Sequence, residues 1–235
     1  MAGETQKRIL IAAERLFAQR GFAEVSVRDI VGAAGQRNIS AVHYYFGSKQ
    51  GLTEALLRHR MRAINERRAA RLHALVQNRA TGDLRALVEA WVYPLIESLE
   101  KGSYYARFIA RALARAPLAQ EPANTVPETE ALRRVEAHLQ AALRHLPVAI
   151  RRQRLRLAAR VWTQAAAAFE QDLEEQHPPA IPNRIWAEDL VNMIVGMLSA
   201  PVPPGARRVA PRGPDGRPRD AEVVRGMRRC RDSRG

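Results

Sequence analysis

The sequence predicts an all-α protein, and three observations predict it. No run of alternating Val, Ile, Thr and aromatic residues is sustained enough to make a strand. Apolar residues recur instead at i, i+3, i+4 and i+7 along most of the chain. The positions between them are chiefly Ala, Leu, Arg and Glu, which lose little freedom in a helix. The pattern resolves into about nine helices.

The first helix covers about 5–20, with Ile9, Ala13, Leu16 and Phe17 on one face and Gly21 as its stop. The second begins after Ser26, where Asp29 three residues on completes a capping box. Val27, Ile30, Val31 and Ala34 form its inner face, and Gly35 ends it. A third helix covers about 39–45 and is closed by Phe46 and Gly47. Ser48 caps a long fourth helix that reaches about 76, and Thr81, Gly82 and Asp83 break the chain. The fifth spans about 83–101, with Pro94 kinking or splitting it. The sixth covers about 104–115, and Pro117 and Pro122 mark a loop after it. The seventh covers about 127–145, with Pro127 in its first turn. The eighth follows Pro147 and runs to about 176, where His177, Pro178 and Pro179 end it; the ninth covers about 183–198. From Pro201 onward come six Pro, five Gly, ten Arg and no aromatic residue. Such a segment buries too little apolar area to offset its ordering entropy, so it reads as disordered.

The expected organisation is a small N-terminal unit over 1–50, a larger helical unit over 51–200 and a tail over 201–235. The apolar runs are far shorter than the ~20 residues that span a bilayer, and the N-terminus has no signal-like apolar stretch. No membrane partner is expected, and a cytoplasmic location is. Cys230 is the single cysteine, which excludes an internal disulfide and fits a reducing compartment. The formal charge of +14 favours a polyanionic partner. Yet the excess is almost all Arg, and the tail holds ten Arg against four acidic residues, so net charge is a weaker pointer than the local motif.

That motif lies in 25–49, where two short helices meet near a Gly and the second is polar and aromatic. A helix-turn-helix needs small residues where its helices touch, which Ala33, Ala34 and Gly35 supply. It also needs a second helix that is apolar inside, here Val42 and Phe46, and reaches bases and phosphates outside. Arg37, Asn38, Ser40, His43 and Tyr44 are the outward candidates; Arg and Asn suit bidentate contacts with guanine and adenine. Ser48 and Lys49 combine a helix N-terminus with a cation, which suits a phosphate, and Ser26 and Arg28 offer the same at the second helix.

Residues 9–57 resemble the DNA-binding domain of TetR-family regulators through Ala13, Leu16, Phe17, Gly21, Val27, Ile30, Ala34, Gly35, Tyr45, Phe46, Ser48, Lys49 and Leu52. The turn Gln36-Arg37-Asn38 is one residue longer than the family's common pattern. His43 stands where that pattern more often has Tyr, which passes the phosphate role to His43 or Tyr44. The resemblance implies a homodimer that reads a palindromic site in double-stranded DNA, and a small-molecule effector in the C-terminal unit that releases it. The resulting expectation is a repressor. An activator of the same fold and a charge-driven, non-specific DNA-binding protein are the alternatives.

The C-terminal aromatics are core or pocket residues, and Trp91, Tyr105, Phe108 and Trp162 are the pocket candidates. Their character suits an apolar or aromatic effector. Ala158, Ala159, Trp162, Ala165, Ala166 and Phe169, with Leu190, Met193, Ile194 and Met197, form two stripes suited to a dimer's four-helix interface. Glu174 and His177 have a metal-like spacing, but no second copy accompanies them, so no metal is assigned. No catalytic triad, phosphate loop or nucleotide fingerprint is visible, and neither catalysis nor a cofactor is expected.

Overall fold

The computed structural model describes residues 2–36, 38–115, 129–177, 180–202 and 204. The described residues form α1 (Ala2–Arg20), α2 (Val27–Ala33), α3 (Ser40–Phe46), α4 (Lys49–Gln77), α5 (Leu84–Ile96), α6 (Tyr105–Arg115), α7 (Glu130–Ala142), α8 (Val148–Glu175) and α9 (Asn183–Ser199), with no strand among them. The all-α expectation holds. Arg37, the loop expected around Pro117 and Pro122, the expected helix start at Pro127, Cys230 and the Arg-rich segment from 205 onward lie outside the described residues.

Local chemistry sets the N-terminal turns. The Ser26 hydroxyl accepts the Asp29 N–H at 3.1 Å while the Asp29 carboxylate accepts the Ser26 N–H at 2.8 Å, the capping box the sequence predicts. The Ser26 hydroxyl, which donates to that carboxylate at 2.6 Å, and the Ser26 N–H hold the Asp29 carboxyl below its ordinary value. Gly47, at φ 74°, turns the chain out of α3, and Ser48 then accepts the Gly51 N–H at 3.0 Å to cap α4. Ile9, Ala13, Phe17, Ile30, Val42, Leu52 and Leu56 fill the space between α1, α2, α3 and the first turns of α4. Of the small residues expected between α2 and α3, only Ala34 is buried; Ala33 and Gly35 are exposed, so the helices meet at one small side chain.

Gly51 is fixed by space. A Cβ there would stand 2.1 Å from the Phe46 carbonyl oxygen, a backbone atom that has no rotamer to escape into. Gly51→Ala is therefore expected to lower stability by about 3 kcal/mol in urea denaturation. Gly32, inside α2 with nothing near its Cβ position, is the internal contrast: Gly32→Ala is expected to raise stability by about 0.5–1 kcal/mol. Equal effects of the two would show that the 46–51 turn relaxes freely.

At 29 residues, α4 is roughly 43 Å long and runs from the N-terminal helices into the C-terminal bundle. There α5 is central, packing on α4, α7 and α9, with Leu87, Val88, Ala90, Trp91, Val92 and Leu95 buried. It ends at Ile96, not near 101 as the periodicity suggests. Pro94 has no N–H to give to the ladder, and the chain closes in short turns, Ser98 N–H to Leu95 and Leu99 N–H to Ile96. The seventh helix is likewise shorter, ending at Ala142 where Arg144 and Leu146 form short turns.

The start of α6 joins the two halves. Glu14 of α1 accepts the Tyr104 N–H at 3.0 Å and two bonds from Arg60 of α4, at 2.7 and 2.9 Å. Glu170 of α8 accepts from the Ser103 hydroxyl, the Ala106 and Arg107 N–H groups and the Arg107 side chain. Glu174 accepts the Tyr104 hydroxyl at 2.9 Å and the Gly102 N–H at 3.0 Å. Three carboxylates from two helices thus satisfy the amides that a helix start leaves open.

Candidate functional site

The face expected to meet DNA is built on Val42, which is buried and anchors α3 while its neighbours point away from the core. Asn38, Ser40, His43 and Tyr44 are all exposed, and Tyr44 is 83% exposed, the most of any large apolar or aromatic side chain described. Its ring stands edge-on to Tyr45, 5.0 Å between centroids, so it is braced as well as exposed.

Hydrogen bonding limits what each side chain has left to offer. Asn38 Oδ1 accepts the Ser40 N–H at 2.8 Å and starts α3, which leaves its amide N–H groups as the free donors. His43 Nδ1 lies 3.0 Å from the Gly47 carbonyl, which only accepts, so Nδ1 carries the proton and Nε2 is the atom left over. Ser26 donates its hydroxyl to Asp29 at 2.6 Å, so its single donor is already used; it positions α2. Arg28, next on α2, is exposed. Lys49 turns back to the protein: its ammonium donates to the Phe22 carbonyl and sits 4.2 Å from the Phe22 ring centre. Two of its three N–H donors remain.

The aromatic candidates of the C-terminal unit divide into two groups. Trp91 and Trp162 meet edge to face at 5.6 Å, both buried. Phe108 is buried too, but it stacks on Phe17 of α1 at 6.0 Å and links the halves. Tyr105, buried beside Phe108, has a hydroxyl with no hydrogen-bond partner among the described residues. Sequence reasoning missed Arg68. It is 2% exposed, on α4, and bonds to Asn65 Oδ1 and the Trp91 carbonyl.

Of the expected dimer stripes, Ala158, Trp162, Ala166, Phe169, Leu190 and Ile194 are buried within this one chain. They pack α8 and α9 onto their own neighbours, so most of both stripes is core. The large apolar residues exposed on these helices are Val148, Val161, Ile185 and Met193. Glu174 is engaged at the α6 start, and His177 lies near Asp172 and Glu175, so the Glu-His spacing brings no ligand pair together. No helix among the described residues is long and apolar enough to cross a membrane.

The chain is similar in structure to several solved proteins. They include the fatty acid degradation regulator FadR from Bacillus halodurans, at 16% identity and TM-score 0.45 over 81% of this chain and 97% of that one. GusR of Salmonella enterica aligns at 20% identity and TM-score 0.38 over 83% and 96%. RolR, solved with resorcinol, aligns at 15% identity and TM-score 0.34 over 86% and 96%. No curated protein matches the sequence. The family described as bacterial regulatory proteins, tetR family, matches residues 9–56, which run from within α1 through the α2–α3 pair to the buried Leu56 of α4. Over these residues, 48 of the chain's 235, the chain is similar to that family.

Proposed function

We propose that the protein is a homodimeric repressor that binds a palindromic operator and leaves it when a small molecule enters the C-terminal unit. The reading head is residues 1–50, the effector and dimer unit is 51–200, and 201–235 is an appended basic tail. The observation that carries this reading is the exposed set on and beside α3, Asn38, Ser40, His43 and Tyr44, standing on a buried Val42. The Asn38 amide donates to phosphate or to a guanine edge, and Tyr44 donates to phosphate. His43 Nε2 accepts from a base amino group, and Arg28, Arg37 and the two spare Lys49 donors neutralise backbone charge. The exposed Val161, Ile185 and Met193 mark the dimer face on α8 and α9.

A continuous line of contacts supports coupling between the two units. Lys49 sits over Phe22, Phe22 meets Phe17 at 5.4 Å, Phe17 stacks on Phe108, and Phe108 meets Tyr105 at 6.4 Å. An effector that shifts α6 therefore moves side chains that brace the reading head.

The test is fluorescence anisotropy on the gene's own upstream DNA against a scrambled duplex, at about 50 and 200 mM salt. Selective binding to the native duplex is expected. Tyr44→Ala is expected to weaken it about tenfold with the fold intact, and Arg37→Ala to weaken it by a similar factor. Equal binding to both duplexes, lost together with salt, would refute the sequence-specific reading.

A further inference from the structure

We infer that the effector carries an anionic oxygen head, in the simplest case a carboxylate on an aromatic body, held at Arg68 inside the C-terminal unit. This rests on the regulator reading above and specifies the ligand class of its effector site. The observation is a set of buried polar atoms without partners among the described residues: Arg68 Nε, Asn65 Nδ2, Tyr105 Oη and Trp162 Nε1. They come from α4, α6 and α8, and Arg68 and Trp162 both contact Trp91 of α5. The Trp91 carbonyl accepts from Arg68 at 3.4 Å, and its ring meets Trp162. Every one of the four is a donor, and only the Tyr105 hydroxyl also accepts. Buried donors left without acceptors call for an acceptor-rich group, and a carboxylate supplies about four lone-pair sites.

The charge sharpens the assignment. A guanidinium is expensive to bury unless it is paired. The two groups to which Arg68 donates, an amide oxygen and a peptide carbonyl, are neutral. Burial pulls its pKa down to about 10, with Tyr105 and Glu136 acting the other way, so it stays charged at neutral pH. The Arg fork matches a carboxylate geometrically, and Trp91, Trp162 and Tyr105 supply flat apolar walls beside it. A cleft of about 340 Å³ between α4 and the 97–103 turn, whose lining includes Arg60, Ile64, Arg67, Glu97, Glu100 and Tyr105, reaches the cluster at Tyr105.

The experiment is isothermal titration of the full-length protein with phenylacetate and indole-3-acetate, each against its neutral amide. The acids are expected to bind at least about tenfold more tightly than the amides. Arg68→Met is expected to fold, with an unchanged or raised melting temperature, and to lose the preference. Tyr105→Phe removes one donor with little change of shape, Trp162→Phe removes one together with half of the indole, and each is expected to weaken the acids severalfold and more than it weakens the amides. They decide the matter if Arg68→Met does not fold. Acid and amide binding alike, no acid binding up to about 10 mM, or a preference that survives all three substitutions would overturn the assignment. Operator binding, measured on the same preparation, separates this from the regulator reading. Specific DNA binding without acid preference defeats only the ligand class. Acid preference without specific DNA binding defeats only the repressor.

Discussion

Glu170→Ala is expected to destabilise the protein by about 3–5 kcal/mol. The carboxylate is fully buried, at 0% exposure. One oxygen accepts the Ser103 hydroxyl at 3.0 Å and the Ala106 N–H at 3.1 Å; the other accepts the Arg107 N–H and the Arg107 Nε, each at 3.1 Å. Two of these donors are first-turn amides of α6, so a residue of α8 serves as that helix's cap. Alanine would leave them unpaired, along with a guanidinium only 17% exposed. Glu170→Gln is expected to fall in between, because its amide nitrogen must oppose one of those donors. Glu175→Ala, at an exposed position, is expected to change stability by less than about 0.5 kcal/mol. Urea denaturation followed by helical circular dichroism measures all three. A loss below about 1 kcal/mol for Glu170→Ala would mean that water re-satisfies the α6 start and the carboxylate is replaceable.

The neighbouring Glu174 adds a pH dependence of known sign. The Tyr104 hydroxyl and the Gly102 N–H hold its carboxyl below the ordinary value. Its contribution is present above the unfolded-state pKa and is lost as pH falls through the folded-state pKa.

The reading head was legible in the sequence because its signals are local. Ser26 and Asp29 cap a helix by themselves, Gly47 permits a backbone turn, and Val42 falls on the inner side of a seven-residue helix. Nothing outside a dozen residues is needed to read them. What escaped notice was long-range: Glu14, Arg68 and Glu170 belong to helices crowded with charged residues that are mostly solvated. A signal was nonetheless present. Arg68 lies four residues after Ile64 and four before Leu72, Glu14 lies between Leu10 and Phe17, and Glu170 extends the line of Thr163, Ala166 and Ala167. A charge on the apolar stripe of an amphipathic helix either faces a buried partner or breaks the stripe. The stripes of α8 and α9 misled for the opposite reason. Periodicity shows which face is buried and not what buries it, and here much of it is covered by the same chain.

Breaking the pair between Glu14 and Arg60 is expected to disturb both stability and DNA binding, and a double-mutant cycle separates the two. Glu14 belongs to α1, inside the family-matched region, and is 2% exposed. It holds Arg60 of α4 by two bonds and the Tyr104 N–H at the start of α6 by a third. Burial alone would lower the Arg60 pKa, but the hydrogen bonds and charge of Glu14 outweigh it and raise that pKa. Glu14→Met and Arg60→Met are each expected to lower stability by about 3 kcal/mol, because the first strands a half-buried guanidinium and the second a buried carboxylate without its counter-charge. The double variant strands no charge, so its loss is expected to fall short of the summed single losses by about 2 kcal/mol. Strict additivity in urea denaturation would show that the pair carries no coupling. The functional consequence concerns orientation. Glu14 fixes α1 against α6 at the same joint where Phe17 stacks on Phe108. The double variant, folded and measured well below its melting temperature, is therefore expected to bind the operator more weakly and to respond less to any effector than the wild type. Unchanged operator affinity and effector response in that variant would place the transmission between the two units elsewhere than in this joint.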